Sequence, residues 1–289
     1  MGNPKFSIII PTYNRFNSLK ECLTALYKQI ENKPLFEVIV VNDDNFKCLP
    51  VDSLGFDSHF RLDFICIEHH GAAAARNRGI QAARGEIILF LDDDSMVVDG
   101  WVDAIIENWQ EFPDSAGIGG YTAIALEDTF ISKVNNDFFN WYLDKYRQGN
   151  YTDFINTCNS GYAKEILVGV WGFDEHFKGA SGEDRDLNIN IIKMGGKLRL
   201  AKNMQVYHDG ELRLTGFIWR HFKYGKGAFR VYKKHSHLRH LTIDDYIDLY
   251  QSIIGKYGKF KEKILVFILL TLSQMATACG YVVALLFEK

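Results

Sequence analysis

Four short apolar runs, each closing on polar residues and separated by helix-patterned segments, set the limits on how this 289-residue chain folds. Phe6–Ile10 is followed by Pro11, Phe36–Val41 by Asn42-Asp43-Asp44-Asn45, and Glu86–Leu91 by Asp92-Asp93-Asp94; Leu62–Ile67 is the remaining run. Runs of this length and composition read as strands buried on both faces, the habit of parallel sheets. Between them, Asn17–Ile30 carries Leu19, Cys22, Leu23, Leu26 and Tyr27 at helical spacing, and Ala72–Ala83 is rich in helix formers. Strand and helix therefore alternate. The pattern predicts an open, mostly parallel α/β sheet flanked by helices, with ligands beyond the carboxyl ends of its strands.

Further along, the alternation loosens. Asp99–Glu111, Thr129–Tyr146 and Gly182–Met194 are predicted helices, and Gly117–Ile124 a strand. Thr152–Ala163 reads as mixed strand and turn, and two short strands are expected near Lys197–Leu200 and Met204–Tyr207. From Leu214 the chain is helical in pattern, and Ile264–Phe287 contains no charged residue, long enough to span a bilayer. An apolar fraction of 47% and a net charge of −3 fit a folded protein with no bulk pull toward nucleic acid. Cys22, Cys48, Cys66, Cys158 and Cys279 are scattered and odd in number, which predicts neither a disulfide framework nor a zinc site and suits a reducing compartment. The amino terminus lacks a charged segment followed by a long apolar one, so no secretory leader is expected.

The polar strand ends carry the chemistry. Three adjacent carboxylates at Asp92–Asp94 repel one another and suit Mg²⁺ or Mn²⁺; by themselves they are equally an acidic turn or the cap of the next helix. Asp43 can accept from a base N–H or a ribose hydroxyl, or simply form a turn. Arg76 offers a donor fork beside a run of alanines whose small side chains build a helix and also let a ligand come close. In an open sheet of this type Pro11-Thr12, Asp43 and the acidic triple face one crevice.

Ser7-Ile-Ile-Ile-Pro-Thr-Tyr-Asn-Arg15, Val38-Ile-Val-Val-Asn-Asp43, Ala75-Arg-Asn-Arg-Gly79 and Leu89-Phe-Leu-Asp-Asp-Asp94 occur in order. They continue into Asn159-Ser-Gly-Tyr-Ala163, Val170-Trp-Gly-Phe-Asp-Glu175, Gly182-Glu-Asp-Arg-Asp-Leu187 and His208. Over about the first 210 residues this series resembles the family-2 inverting glycosyltransferases of GT-A fold. The resemblance implies transfer of one sugar, by default from a UDP-sugar, to a hydroxyl of a glycan or lipid-linked acceptor. Pro11, Thr12, Asp43, Arg76, Asp92 and Asp93 are then expected at the nucleotide-sugar, Asp94 and His208 at the metal, and Asp184 as catalytic base. Glu183, Asp186 and Trp171 are expected near the acceptor. Residues 1–115 would form the nucleotide-sugar half, 116–213 the acceptor half, and 214–289 a helical C-terminal extension.

Alternatives and departures accompany that reading. Asp184 also fits an acidic helix start. Asn42 stands where many relatives have Asp, and no Gln-x-x-Arg-Trp pattern of processive synthases is present. A non-catalytic sugar-binding protein on the same fold is the rival expectation. Basic and aromatic residues interleave over Phe217–Arg239, suiting either an anionic bilayer or a solvated helix face. Lysines at 256, 259, 261 and 263 precede the uncharged run, which predicts membrane contact from the cytoplasmic side. A mildly polar stripe of Thr271, Gln274, Thr277 and Tyr281 also suits packing on the body or on a second copy.

Overall fold

The computed structural model describes residues 4–30, 33, 35–45, 56, 61–125, 129–177, 179, 181–208 and 212–288. Cys48 and the first three residues lie outside them. Two compact units form: Met1–Ala123, Tyr146–Lys178 and Glu183–His208 make the first, and Ile124–Lys145, Gly179–Gly182 and Asp209–Lys289 the second.

The first unit is built on one sheet. β1 (Phe6–Thr12), β2 (Phe36–Asn42), β3 (Leu62–Cys66) and β4 (Ile87–Leu91) pair in parallel in the order β3-β2-β1-β4. α1 (Phe16–Ile30) joins β1 to β2, and α2 (Ala72–Ala82) joins β3 to β4. The chain continues through β5 (Ser95–Val97), α3 (Trp101–Glu111), β6 (Gly117–Ala123), β7 (Arg147–Gln148), β8 (Tyr151–Thr152), β9 (Asn159–Ala163), α5 (Lys164–Gly169), α6 (Glu183–Lys193) and β10 (Leu198–His208). Beyond β4 the order is β9-β6-β10-β8-β7, with β5 paired to β10. β9 lies antiparallel between β4 and β6, whereas β10 is parallel to β6. The expected mostly parallel α/β sheet is therefore present.

Side-chain alternation explains why both faces are covered. Phe6, Ile8 and Ile10 join a core with Leu19, Leu23 and Trp101 from α1 and α3. Ile9, Ile39 and Phe90 join another with Ala73, Ala75 and Leu187 from α2 and α6. Each fully buried Ile or Leu contributes about 1.5–3 kcal/mol, and a one-residue slip would exchange the two faces. The alanines of α2 are thus used for packing: Ala73, Ala74 and Ala75 are buried, and a Cβ at Gly79 would strike the side chain of Ile9.

Several boundaries differ from expectation for physical reasons. Pro11 does not end β1 but sits inside it, opposite Val41. Pairing of β1 with β4 has already stopped at Ile9–Phe90, so the missing proline N–H faces no second ladder. The two short strands expected after 196 are one strand, β10, with an irregular register between Leu200 and Gln205. The exposed Lys202-Asn203 pair lies within that bulge. Asn159 is fully buried and stitches the region together. It accepts from Trp101 Nε1 at 2.9 Å and donates to the carbonyls of Tyr121 and Met204 at 3.1 Å each.

The second unit contains α4 (Phe130–Lys145), α7 (Leu214–Lys234), α8 (Ile243–Gly255) and α9 (Phe260–Phe287) around Val134, Trp141, Phe217, Leu249, Val266 and Leu270. α8 starts on a capping box formed by Thr242 and Asp245. α7 and α9 cross at two glycines. A Cβ at Gly225 would collide with the carbonyl of Thr277, and one at Gly280 with the carbonyl of Phe222.

Candidate active site

The acidic triple leaves the end of β4 and is met by the protein's own cations. Thr12 Oγ1 donates to Asp93 at 2.7 Å, while Arg15 Nη1 donates to Asp93 at 3.2 Å and to Asp94 Oδ2 at 2.8 Å. Arg76, buried in α2, donates through Nη2 to Asp92 Oδ1 and through Nη1 to Glu183 Oε1, both at 3.0 Å. His208, at the end of β10, brings Nε2 to 3.3 Å from Asp94 Oδ1 and 3.8 Å from Asp92 Oδ2. The arginines thus occupy one oxygen of Asp92 and one of Asp94, and the remaining two converge on His208.

These three ligand atoms lie within 4.8 Å of one another. Two carboxylate oxygens and an imidazole nitrogen form a set that fits Mn²⁺, and Mg²⁺ less well because of the nitrogen. Electrostatics differ along the triple. Burial pushes Asp92 up, but its hydrogen bond with His208 and the charge of Arg76 outweigh this and hold it at about 2. Burial raises Asp93 to about 6, against the hydrogen bond from Thr12 and with the charge of Asp94.

Arg76 links this cluster to the start of α6. Glu183 is buried there, and its Oε2 and the Arg76 Nε have no hydrogen-bond partner among the described residues. Buried polar atoms left over in this way are rare, and they favour a site completed by something else. Asp184 accepts from the N–H of Arg185 at 2.7 Å, so it does serve the helix start. Burial and the neighbouring charge of Glu183 nevertheless raise it to about 7. Tyr162, wholly buried and donating to Asn188 at 3.0 Å, is itself pushed up by burial and by the charge of Asp184.

The remaining predicted residues are placed apart from this network. Asp43 is buried, and its carboxylate accepts from the N–H groups of His70 and Gly71 at 2.8 Å each; it also lies 2.9 Å from His69 Nδ1. It therefore anchors the segment entering α2. Pro11 is buried within β1, and Asp186 is buried on α6, accepting from Asn190 at 3.3 Å. Trp171 stands at the other extreme, 91% exposed at φ +66°. Its turn is rigid. Asn77 accepts from the N–H of Phe173 at 2.8 Å and donates to the Phe173 carbonyl at 2.9 Å, while Phe173 packs under the Arg76 guanidinium.

Three residues without a role in the sequence reading belong here. Arg15 neutralises Asp93 and Asp94, as above. Tyr13 stacks on His69 with centroids 4.3 Å apart, bringing an aromatic face beside Asp43. Their positions just after β1 and β3 were the available signal, since strand carboxyl ends line such crevices.

An open sheet of this order with an acidic cluster beyond β4 defines a GT-A glycosyltransferase fold. The model of glycosyl transferase family 2 matches residues 7–169, more than half of the chain, and the chain belongs to that family. It is 26% identical over 243 residues to the chondroitin synthase of Pasteurella multocida, covering 72% of this chain and 25% of that protein. It is 28% identical over 240 residues to the pre-mycofactocin glycosyltransferase of Mycobacterium tuberculosis, covering 79% and 48%. The chain thus spans half or less of the length of these relatives.

Among solved structures, the mannosyltransferase PcManGT from Pyrobaculum calidifontis, in complex with GDP-Man and Mn²⁺, superposes with a TM-score of 0.66 at 16% identity, covering 100% of this chain and 89% of the other. Residues 1–349 of S. aureus TarS in complex with UDP-GlcNAc give a TM-score of 0.54 at 16% identity, covering 96% and 90%.

Proposed function

We propose that this chain transfers a single sugar from a nucleotide-diphosphate sugar, by default a UDP-sugar, to a hydroxyl of a glycan or lipid-linked acceptor, with inversion and with a divalent ion. The observation that carries the reading is the convergence of Asp92 Oδ2, Asp94 Oδ1 and His208 Nε2, joined through Arg76 to Glu183 and Asp184. Neighbours of the same fold bind GDP-Man with Mn²⁺ and UDP-GlcNAc, which supports the donor class. Residues 1–115 and 116–213 would then supply the donor and acceptor halves.

Each residue has a physical task. Asp92, Asp94 and His208 would hold Mn²⁺ or Mg²⁺, which when bound acts as a Lewis acid on the diphosphate. Thr12, Asp43 and Arg76 would bind the nucleotide, with Pro11 and Asp93 shaping the same wall and Tyr13 offering a ring face to the base. Arg15 and Arg76 supply fixed positive charge where the leaving group gains negative charge. Asp184 takes the proton of the acceptor hydroxyl as its oxygen bonds to the anomeric carbon. The carbon–oxygen bond to diphosphate breaks on the opposite side, the diphosphate keeps the electron pair, and configuration inverts. Glu183 positions Arg76 and Asp184, Asp186 steadies α6, and Trp171 offers an exposed ring to an acceptor sugar.

The deciding experiment is a thermal-shift panel of UDP-, GDP- and dTDP-sugars with Mn²⁺ or Mg²⁺. One class of nucleotide-sugar should stabilise the protein in a metal-dependent manner, by about 2.7 kcal/mol at a hundred times its Kd. Absence of any shift across the panel would sink the donor assignment. A pH dependence follows from Asp184. A base with its carboxyl at about 7 must ionise to act, so kcat/KM should rise about tenfold per pH unit below 7 and level off above it. A profile flat from pH 5.5 to 8 would place the base elsewhere. We also place the reaction at the cytoplasmic face of a membrane, on the support of α9, a helix long and apolar enough to cross one.

A further inference from the structure

The geometry points to a docking surface for an anionic lipid bilayer on the second unit: α9 lies along the membrane with its outward face and that of α8 in the acyl region, and does not cross it. This deepens the membrane placement just proposed and rests on it.

Two faces of α9 carry the inference. Val266, Leu270, Ser273, Ala276, Gly280 and Ala284 are buried within the unit. On the opposite side Phe260, Phe267, Met275, Val282, Leu285 and Leu286 are 49–78% exposed. The helix has 28 residues, about 42 Å at 1.5 Å per residue, and from Ile264 to Phe287 neither face holds a charge. An exposed strip of this length in water would ordinarily be interrupted by charges.

α8 widens the strip. Ile243 is 79% exposed and Ile247 49%. A groove of about 670 Å³ lined by Ile243, Tyr246, Ile247, Tyr250 and Ile254 lies along α8 and reaches Phe267 of α9. Tyr250 packs on Phe267 at 5.4 Å and its hydroxyl meets Thr271 at 3.1 Å, so α8 and α9 present one surface.

Crossing the bilayer is disfavoured by α7. The close glycine crossing fixes α9 to α7, and Lys226 and Arg230 of α7 hold Glu288 at 2.8 and 2.7 Å. The carboxyl-terminal half of α9 therefore runs beside a helix bearing Arg220, Lys223, Lys226 and Arg230. Hydrocarbon on all sides of that pair would bury several charges. Hydrocarbon against the outward face of α9 alone meets a run without charge from Ile264 to Phe287.

Charge selects lipid over a second copy. Lys259, 84% exposed by its side chain and 3.6 Å from Glu262, borders the amino end of the strip with Lys261 and Lys263, while α8 carries the exposed Asp244 and Asp248. A two-fold contact pairing two copies of α9 in parallel would set this basic rim against itself, whereas anionic headgroups complement it.

The test uses the whole chain and vesicles of phosphatidylcholine alone or with 30% phosphatidylglycerol. Binding should need the anionic lipid, weaken at least tenfold in Phe267→Asp/Leu285→Asp, and be released by alkaline carbonate. Lys261→Glu/Lys263→Glu should lose the anionic preference with the apolar face untouched. The donor-induced thermal shift should be unchanged in both variants, which separates this inference from the transferase reading. Failure to bind anionic vesicles, resistance to carbonate, or a dimer dispersed by Phe267→Asp/Leu285→Asp would each overturn it.

Discussion

Asp184→Asn is expected to remove sugar transfer by about 10²–10⁴-fold while donor affinity stays within about twofold, because a positioned base contributes in that range and Asn cannot take the proton. The substitution keeps the shape and the oxygen that accepts from the Arg185 N–H. It also has a stability signature opposite to that of most site lesions. The folded carboxyl sits at about 7, above the ordinary 3.8, so the native state binds the extra proton. Its contribution to stability is greatest below about pH 4 and falls as pH rises toward 7, where ionising a desolvated carboxyl beside Glu183 costs. Asn carries no such charge. At pH 8 the variant should therefore melt no lower than the parent, and the gap between them should close toward pH 4. Full transfer by a well-folded Asp184→Asn protein would assign the base to another residue.

Asp94→Ala should abolish the metal-dependent part of donor binding. The side chain supplies one of three converging ligand atoms and is also the 2.8 Å partner of Arg15. Calorimetry with a nucleotide-sugar, with and without Mn²⁺, should show the parent losing about a hundredfold in affinity without the ion, about 2.8 kcal/mol, and the variant losing nothing further. A parent whose affinity is indifferent to Mn²⁺ would dispose of the ion altogether. Arg15 left without Asp94 still has Asp93 at 3.2 Å, so the loop after β1 should keep its place.

Much of this was legible in the sequence because local pattern and sheet topology coincide in a parallel core. Phe6–Ile10, Phe36–Val41 and Glu86–Leu91 became β1, β2 and β4 with polar residues at their carboxyl ends, as the apolar runs required. β9 was harder to read. Asn159-Ser-Gly-Tyr-Ala163 has little β-branched character, and its antiparallel place between β4 and β6 depends on pairing with residues 41 to 76 positions away. α5 follows it directly and was missed, being only six residues long. Side-chain partners were beyond reach for the same reason. Nothing local to Arg15 announces Asp93, and nothing local to Asp43 says that its carboxylate holds the backbone of residues 70 and 71.

The short ribbon of β5 and β10 has a further consequence. His208 pairs across it with Ser95, the residue after Asp94, so the distance between carboxylate and imidazole is set by a two-strand ladder rather than by the intervening loop. The bulge at 201–204 takes up the slack that lets β10 follow β6 at one end and meet β5 at the other. Anyone transplanting this ion site into another scaffold would need to carry the ladder and its bulge as one cassette. The three side chains alone, set on a strand shifted by a single residue, would point His208 through the opposite face of the sheet.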